Sequence, residues 1–204
     1  MALALRHLVE VRGQTGDAVK TVSTTFMIDG IAQKHGLKVH ETPVGFNHIG
    51  DLMMRRDILI GGEESGGISI KGHIPEGDGI LMGLMLLEIM GHHKAPLHEI
   101  IADLQKTFGP AHYGRIDAPL RHQRPKRQVT EMLASQAPAS LAGEAVARVD
   151  TLDGVKYYLN DLSWLLIRPS GTEPVLRIYA EARSPEAAKA LLDEGVKMGE
   201  VLLS

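Results

Sequence analysis

A glycine-rich segment, Gly61-Gly62-Glu63-Glu64-Ser65-Gly66-Gly67, follows an apolar strand that is predicted over residues 57–60. Its four glycines expose backbone N–H groups and let a ligand approach the main chain. Glu63 or Glu64 can accept hydrogen bonds from two adjacent hydroxyl groups, as on a sugar, and Ser65 can donate or accept a further one. The segment is not a P-loop, because no Gly-Lys-Ser/Thr follows it. Two interpretations stay open: a loop that binds a polyhydroxyl ligand, or a connection with solvated acidic residues.

A second segment, Arg168-Pro169-Ser170-Gly171-Thr172-Glu173-Pro174, combines rigidity with polar side chains. Its two prolines stiffen the backbone, and Gly171 permits an unusual backbone angle. Arg168, Ser170 and Thr172 offer a guanidinium and two hydroxyls on one short turn. This set suits a phosphate dianion, because guanidinium pairs bidentately while hydroxyl and backbone N–H groups satisfy the remaining oxygens. The alternative is a rigid β-turn that binds nothing.

Other polar side chains are assigned structural roles. Glu173 is a poor partner for phosphate, so we expect it to orient Arg168 or Arg177. Asp78 fits best as the N-cap of the next helix, since the spacing of His73, Glu76 and Asp78 matches no zinc pattern. The histidines near one helix end suit the helix dipole, and the neighbouring methionines suit a core face: His92, His93, His98, Met82, Met85 and Met90.

The elements that position the glycine-rich segment alternate between strands and helices. The sequence predicts strands over residues 18–22, 37–41, 57–60 and 68–71, and helices over residues 1–12, 26–35, 49–55, 80–90 and 96–107. Residues 80–90 are apolar on nearly all faces, which predicts a buried helix with close packing at Gly83. The hydroxyl cluster Ser23-Thr24-Thr25 is expected to cap the helix that follows it. We therefore predict a mixed α/β/α layered sheet over residues 1–115.

The pattern changes after about residue 112. A basic surface connection is followed by a predicted helix over residues 126–135, strands over 146–150, 155–159, 164–167 and 175–182, and a final helix over 185–202. Asp153-Gly154 is a strong hairpin signal between the first two of these strands. Ser184 and Pro185 mark the N-cap and first turn of the final helix. Residues 120–204 thus predict an α+β domain with a roughly four-stranded, mainly antiparallel sheet and flanking helices.

The composition narrows the classes of function. The 204 residues are 44% hydrophobic and 23% charged, and the net charge of -3 gives no basic surface for nucleic acid. The absence of Cys excludes disulfides, thiolate metal sites and Cys nucleophiles. No apolar run approaches the roughly 20 residues of a membrane span, and the apolar start of the chain is too short for a secretory signal. We expect a cytoplasmic protein without nucleic-acid or membrane partners.

In this order, the motifs resemble the C-terminal half of the α-D-phosphohexomutases, the phosphoglucomutase/phosphomannomutase superfamily. Thr42-Pro43-Val44-Gly45-Phe46 is similar to the family's third-domain loop, and Gly62-Glu63-Glu64-Ser65-Gly66 to its sugar-recognition loop. The Asp78-Gly79 pair that opens the next helix is also similar. Residues 168–174 resemble the phosphate-binding loop of the fourth domain. The resemblance covers nearly the whole chain, with residues 1–115 as domain 3 and residues 120–204 as domain 4.

The resemblance implies reversible conversion of hexose 1-phosphate to hexose 6-phosphate. In this family a phosphoserine donates its phosphoryl group to the sugar phosphate, and the bisphosphorylated sugar turns over and returns its other phosphate. The implied sugar-binding residues are Phe46, Asn47, His48, Glu63 and Ser65. The implied phosphate-binding residues are Arg168, Ser170, Gly171 and Thr172. Magnesium and a hexose 1,6-bisphosphate activator are implied for the complete enzyme, whereas this chain is expected to hold no catalytic residue, metal or cofactor.

Several family features are missing from the sequence. It contains no Ser-His-Asn-Pro phosphoserine loop and no Asp-x-Asp magnesium motif. Asn47 stands where the family usually has a basic residue, and Gly77 where many members have Lys or Arg. We therefore expect no activity from this chain alone and an N-terminal half, domains 1 and 2, as its partner. Apolar surface left uncovered without that half would favour self-association. The alternative hypothesis is a non-catalytic phosphosugar-binding or regulatory module.

Overall fold

A computed structural model describes residues 1–120, 125–170 and 173–203 of the chain, with residues 201–203 described only as helical backbone. The chain divides into two compact units, Met1–Gly109 and Pro110–Ser204. Each unit is built around its own sheet.

A mixed four-stranded sheet forms the centre of the first unit. Its strands are β1 (Asp17–Thr21), β2 (Val39–Thr42), β3 (Ile58–Gly62) and β4 (Ile68–Ile70). The spatial order is β2-β1-β3-β4. Strand β1 pairs in parallel with β2 and β3, whereas β4 pairs antiparallel with β3. The parallel strands therefore end at a common edge, where their connections meet.

Helices cover both faces of this sheet. They are α1 (Ala2–Glu10), α2 (Met27–His35), α3 (Phe46–Arg55), α4 (Gly79–His93) and α5 (Leu97–Phe108). Helix α3 packs on the sheet through a cluster of Val19, Ile49 and Ile58. Lys20, the next residue of β1, reaches Asp29 of α2 instead. Successive side chains of a strand point to opposite faces, so α2 and α3 lie on opposite sides. The predicted α/β/α layering is confirmed.

Helix α4 is less buried than the sequence predicts. Its buried residues are Met82, Met85 and Ile89. An exposed α4 face consists of Ile80, Gly83, Leu84 and Leu87, whose three apolar side chains are 80%, 61% and 64% exposed. Within the described part of the chain, a Cβ at Gly83 would meet no atom within 4 Å. The predictions of burial on all faces and of close packing at Gly83 are therefore wrong, because α4 uses only one apolar stripe in this unit.

The described residues of the second unit form an antiparallel sheet and two helices. Its strands are β5 (His112–Pro119), β6 (Ser140–Leu141), β7 (Glu144–Asp150), β8 (Val155–Leu159), β9 (Trp164–Pro169) and β10 (Val175–Ala182). Its helices are α6 (Lys126–Ser135) and α7 (Pro185–Leu203). The strand order is β5-β10-β9-β8-β7-β6, and every pairing in it is antiparallel. The helices share one core with the sheet, in which Val129 of α6 and Leu191 of α7 belong to the same buried cluster as Ile167 and Ile178.

The antiparallel character and the flanking helices are as predicted, but the number of strands is not. Strands β5 and β6 add to the four that the sequence predicts. Most residues of β5 are exposed or only partly buried, so it lacks the apolar signal of a core strand. It is held instead by pairing with β10 along its full length, from His112 to Pro119. Strand β6 has only two residues.

Three of the predicted local signals are present. The Asp78 carboxylate accepts hydrogen bonds from the N–H groups of Ile80 and Leu81 at 2.9 and 3.0 Å, which makes it the N-cap of α4. Ser184 Oγ accepts from the N–H of Ala187 at 3.1 Å at the start of α7. Gly154 has a φ of 85° in the turn between β7 and β8, as the hairpin prediction requires.

Candidate functional site

In the first unit, the predicted sugar-binding residues lie in two connections at the carboxyl edge of the sheet. Phe46, Asn47 and His48 form the first turn of α3, just after β2. Glu63 and Ser65 lie in the turn between β3 and β4. Ligands of open α/β sheets bind at this edge, since the loops that follow parallel strands converge there. The site is thus built where the fold can bring separate segments together.

A hydrogen bond from main chain to side chain joins the two connections. Glu63 Oε1 accepts from the backbone N–H of Gly45 at 3.0 Å. On the other side, a Cβ at Gly67 would lie 3.3 Å from Glu63 Oε2 and 3.4 Å from Phe46 Cδ2. The Glu63 carboxylate and the Phe46 ring therefore both lie against Gly67. The structure brings these two predicted residues together, and a side chain at position 67 would crowd both of them.

The other three predicted sugar-binding residues are exposed. Ser65 lies in a tight turn that is closed by hydrogen bonds from Glu63 N–H to Gly67 O at 2.9 Å and from Gly66 N–H to Glu63 O at 3.2 Å. Asn47 and His48 begin α3, and both are exposed. These polar groups therefore face solvent beside the half-buried Glu63.

Glu64 has a different environment from Glu63. Its Oε2 accepts hydrogen bonds from Ser23 Oγ and from Thr21 Oγ1, the latter at 3.3 Å. Thr21 Oγ1 also lies 2.9 Å from Thr24 Oγ1. This hydroxyl network ties the end of β1 to the turn after β3. The sequence left open which of Glu63 and Glu64 would accept hydrogen bonds from hydroxyl groups. In the structure, Glu64 accepts them from the protein's own hydroxyls. Thr25 Oγ1 instead accepts a hydrogen bond from the N–H of Met27 at the start of α2.

Lys20 is a polar residue of this edge that the sequence analysis missed. It is 4% exposed, pairs with Asp29 of α2, and donates to the carbonyl of Thr25 at 3.3 Å. In the strand register it lies opposite Gly62, one residue before Glu63. A lysine directly after the apolar pair Ala18-Val19 in a short strand is the signal that could have identified it, since buried lysines need a partner.

In the second unit, Arg168 lies near the end of β9 and is held by a buried acid. Asp153 Oδ2 accepts from Arg168 Nε at 2.7 Å, and the Asp153 side chain is 1% exposed. Lys126 pairs with the other oxygen of the same carboxylate. A Cβ at Gly154 would lie 2.4 Å from the carbonyl oxygen of Ile167, so the turn backbone packs directly against β9. The turn therefore fixes Arg168 as well as reversing the chain.

Glu173 has one of the two roles expected of it. Its Oε2 accepts from Arg177 Nη2 at 2.9 Å, so it orients Arg177, while Asp153 orients Arg168. Asp153 was missed as a site residue because the Asp-Gly pair is already explained by the hairpin.

Ser170 shapes the predicted phosphate loop. Its backbone N–H donates to the carbonyl of Val175 at 3.0 Å, and its Oγ accepts from the N–H of Glu173 at 3.2 Å. The side chain is buried in the loop, with 7% of the residue exposed. Gly171 and Thr172, the other predicted phosphate-binding residues, lie outside the described residues.

The described part of the chain contains neither a cluster of metal-ligating side chains nor a membrane-spanning helix. There, no group of three or more His, Cys, Asp or Glu side chains is placed to hold a metal ion. The described residues thus offer no ligand set for the magnesium ion that the resemblance implies for a complete enzyme. No described helix is both long and apolar enough to cross a bilayer.

The chain matches two family descriptions in succession. "Phosphoglucomutase/phosphomannomutase, alpha/beta/alpha domain III" matches residues 1–108, and "Phosphoglucomutase/phosphomannomutase, C-terminal domain" matches residues 123–198. A phosphoglucomutase/phosphomannomutase of Thermococcus kodakarensis is 31% identical over 188 residues, which cover 92% of this chain and 39% of the relative. A phosphoglucosamine mutase of Methanococcus aeolicus is 33% identical over 201 residues, which cover 97% and 42%.

Solved structures agree with these matches. A putative phosphomannomutase from Thermus thermophilus superposes with a TM-score of 0.77 at 37% identity, over 98% of this chain and 40% of that one. This chain therefore spans about 40% of the length of the curated relatives that it matches. With the two successive domain descriptions covering most of its residues, the chain belongs to the phosphoglucomutase/phosphomannomutase family.

Proposed function

We propose that this chain supplies the sugar-binding and phosphate-binding loops of a phosphohexomutase that interconverts hexose 1-phosphate and hexose 6-phosphate. The observation that carries the proposal is the position of Arg168, whose Nε is held at 2.7 Å by the buried carboxylate of Asp153 beside Ser170. A guanidinium fixed at one edge is pre-organised to bind phosphate with its other N–H groups. Membership of the phosphoglucomutase/phosphomannomutase family supports a sugar phosphate as the ligand.

In the first unit, Glu63 is the residue that we assign to the sugar hydroxyls. Its carboxylate is anchored by the Gly45 N–H and lies beside Phe46, so it has a defined position before a ligand arrives. An ionised carboxylate accepts hydrogen bonds from two adjacent hydroxyls without a change of geometry. Ser65, Asn47 and His48 complete the proposed site from its exposed side.

The proposed role is positioning rather than chemistry. Phosphoryl transfer is catalysed mainly by positioning and by stabilisation of charge, and binding loops contribute to both. The phosphoserine and the magnesium loop are assigned to an N-terminal half, because the relatives are much longer than this chain and because neither motif occurs in it. Magnesium and a hexose 1,6-bisphosphate activator are part of the proposal for the complete enzyme only. A cytoplasmic location, as the composition predicts, completes the proposal.

Binding of hexose phosphates to the isolated chain tests the proposal directly. Calorimetry with glucose 6-phosphate and glucose 1-phosphate should give a Kd between micromolar and millimolar, and Arg168→Ala should abolish the measurable heat. A matched control is Arg127→Ala, which removes an arginine that is 90% exposed and paired with Glu131 on α6. An absence of heat with the unaltered chain, or equal affinity in Arg168→Ala, would contradict a phosphosugar site.

Mixing experiments test the division of labour between the two halves. The chain alone, with magnesium and glucose 1,6-bisphosphate, should convert no glucose 1-phosphate. A mixture with the N-terminal half of a homologous mutase should convert it. Turnover by the pure chain would overturn the assignment of the phosphoserine to another half, whereas binding without turnover in any mixture would favour the non-catalytic binding module.

A further inference from the structure

One buried carboxylate in the second unit is shared by two cations. Asp153 lies in the turn between β7 and β8, and its side chain is 1% exposed. Its Oδ2 accepts from Arg168 Nε at 2.7 Å, while its Oδ1 pairs with the Nζ of Lys126, the first residue of α6. Three separate elements thus meet at a single acid.

The charges of this cluster do not cancel. One carboxylate faces one guanidinium and one ammonium, which leaves a surplus of one positive charge. Within the described residues, no other acid forms an ion pair with Arg168 or Lys126. The nearby Arg177 is matched by Glu173, and Arg127 by Glu131, so these pairs add no negative charge to balance the surplus.

A single partner would be enough for a purely structural role of Asp153. Burying a charge is costly unless it is paired, and one well-placed cation already pairs the carboxylate. A second cation on the same acid adds positive charge at this location, and solvent can stabilise that charge because the Lys126 side chain is 46% exposed. The surplus attracts a ligand that carries negative charge.

Lys126 is also reachable from solvent, unlike the carboxylate that it contacts. Its side chain is 46% exposed and lines an open groove together with Thr130, Thr151 and Gly154. Arg168 is 14% exposed on the other side of Asp153. The two cations therefore flank the buried acid while both keep contact with the surface.

We propose that Lys126 is a positioning residue of the Arg168 phosphate site: it neutralises Asp153 and so leaves the charge of Arg168 for the phosphate of the ligand. This inference rests on the proposed function, because it takes Arg168 as the phosphate-binding group. Without Lys126, Asp153 and Arg168 form a neutral pair, and a phosphate dianion at Arg168 meets the negative field of Asp153. With Lys126 present, the same dianion meets a cluster of net positive charge.

The test compares three substitutions by calorimetry with glucose 6-phosphate at low ionic strength. Lys126→Met should raise Kd about tenfold, the effect of one charge-assisted interaction. Lys126→Arg keeps the charge and should stay within about threefold of the unaltered chain. Lys189→Met is the matched control, because that lysine lies on α7, is 75% exposed and pairs with Asp193. It should leave Kd unchanged.

A second measurement separates positioning from folding. The slope of log Kd against log salt concentration should be smaller in Lys126→Met than in the unaltered chain, since fewer charges attract the ligand. The thermal melting curve of each variant reports whether it folds. If Lys126→Met does not fold, Lys126→Gln, which keeps a hydrogen-bond donor for Asp153, takes its place with the same expected tenfold change.

The outcomes distinguish this inference from the proposed function. If Arg168→Ala loses binding while Lys126→Met and Lys126→Gln keep the original Kd and salt slope, Lys126 has only a structural role and the inference is wrong. If the unaltered chain binds no sugar phosphate, the proposed function fails and the inference fails with it. If Lys126→Met weakens binding of the sugar phosphate and Lys126→Arg retains it, both the proposed function and the inference are supported.

Discussion

The carboxylate of Glu63 accepts a hydrogen bond from the backbone N–H of Gly45 at 3.0 Å, across a sequence separation of 18 residues. This bond joins the turn after β3 to the start of α3. It orients one carboxylate oxygen toward the protein, so that the side chain has a fixed direction before any ligand binds. Fixed polar groups lose little entropy on binding, which is how a loop becomes a recognition element.

The first prediction concerns this bond. Glu63→Ala should raise the Kd for glucose 6-phosphate about tenfold, because it removes both the anchored acceptor and its proposed contact with the sugar. Glu63→Gln keeps one acceptor oxygen, so its Kd should lie between those of the unaltered chain and Glu63→Ala. Glu99→Ala, at a side chain of α5 that is 64% exposed, serves as the control in calorimetry. Equal affinity of Glu63→Ala and the unaltered chain would remove Glu63 from the site.

A second prediction concerns the stability of the second unit. Asp153→Asn leaves Arg168 and Lys126 without a counter-charge, so the free energy of unfolding should fall by about 3 kcal/mol. Asp193→Asn breaks an exposed pair with Lys189 and should cost less than about 0.5 kcal/mol. Urea denaturation measures both. If Asp153→Asn lowers the free energy of unfolding no more than Asp193→Asn does, the buried carboxylate does not stabilise the second unit.

A third prediction concerns the exposed α4 face. The double substitution Ile80→Gln/Leu84→Gln should change the unfolding free energy by less than about 0.5 kcal/mol, because both side chains already face solvent. Met85→Ala, on the buried stripe of the same helix, should cost about 2–5 kcal/mol. Sedimentation at increasing concentration should also show less self-association for the double variant. A large loss of stability in that variant would mean that the face is covered in solution.

The fourth prediction is a dependence of stability on pH. Hydrogen bonds from Arg12, and then from His7, lower the pKa of Glu88 from its ordinary 4.5 to about 2. Because the folded state has the lower pKa, this contribution is fully present above about pH 4.5 and is lost as the pH falls toward 2. The Glu88 side chain is 42% exposed, so solvent screening limits the contribution to at most about 1 kcal/mol.

Denaturation of Glu88→Gln across this pH range tests the sign. The difference in unfolding free energy from the unaltered chain should be largest near neutral pH and should shrink below pH 4.5. Glu131→Gln breaks an exposed pair with Arg127 on α6. Its free energy of unfolding at neutral pH should be close to that of the unaltered chain. A difference for Glu88→Gln that grows as the pH falls would reverse the assigned cause.

Much of the fold could be predicted because its signals are local. The Asp78 cap, the Ser184 cap and the Asp153-Gly154 turn each depend on residues within a few positions, and all three are present. Strand β5 could not be found in this way. Its residues are mostly exposed or only partly buried. Its strand conformation depends on pairing with β10, which lies far along the chain.

The candidate site also combines local sequence signals with contacts between distant parts of the chain. The residue types of the two loops predicted which segments carry polar groups, but their partners are long-range contacts. Ser23 lies 41 positions from Glu64, and Asp153 lies 15 positions from Arg168. No spacing rule reaches across such distances, so the acid that orients Arg168 and the hydroxyls that engage Glu64 required the folded chain.

The pairing of β5 with β10 also determines the order in which the second unit can assemble. Pro119 pairs with Val175 and His112 with Ala182, so β5 must wait for a strand that is made more than fifty residues later. Contacts of such sequence separation are slow to form because loop closure precedes any gain from pairing. On a ribosome, the residues of β5 emerge well before their partner does. Completion of this sheet is therefore a late event in synthesis, and β9, which carries Arg168 of the proposed phosphate site, pairs with β10 only then.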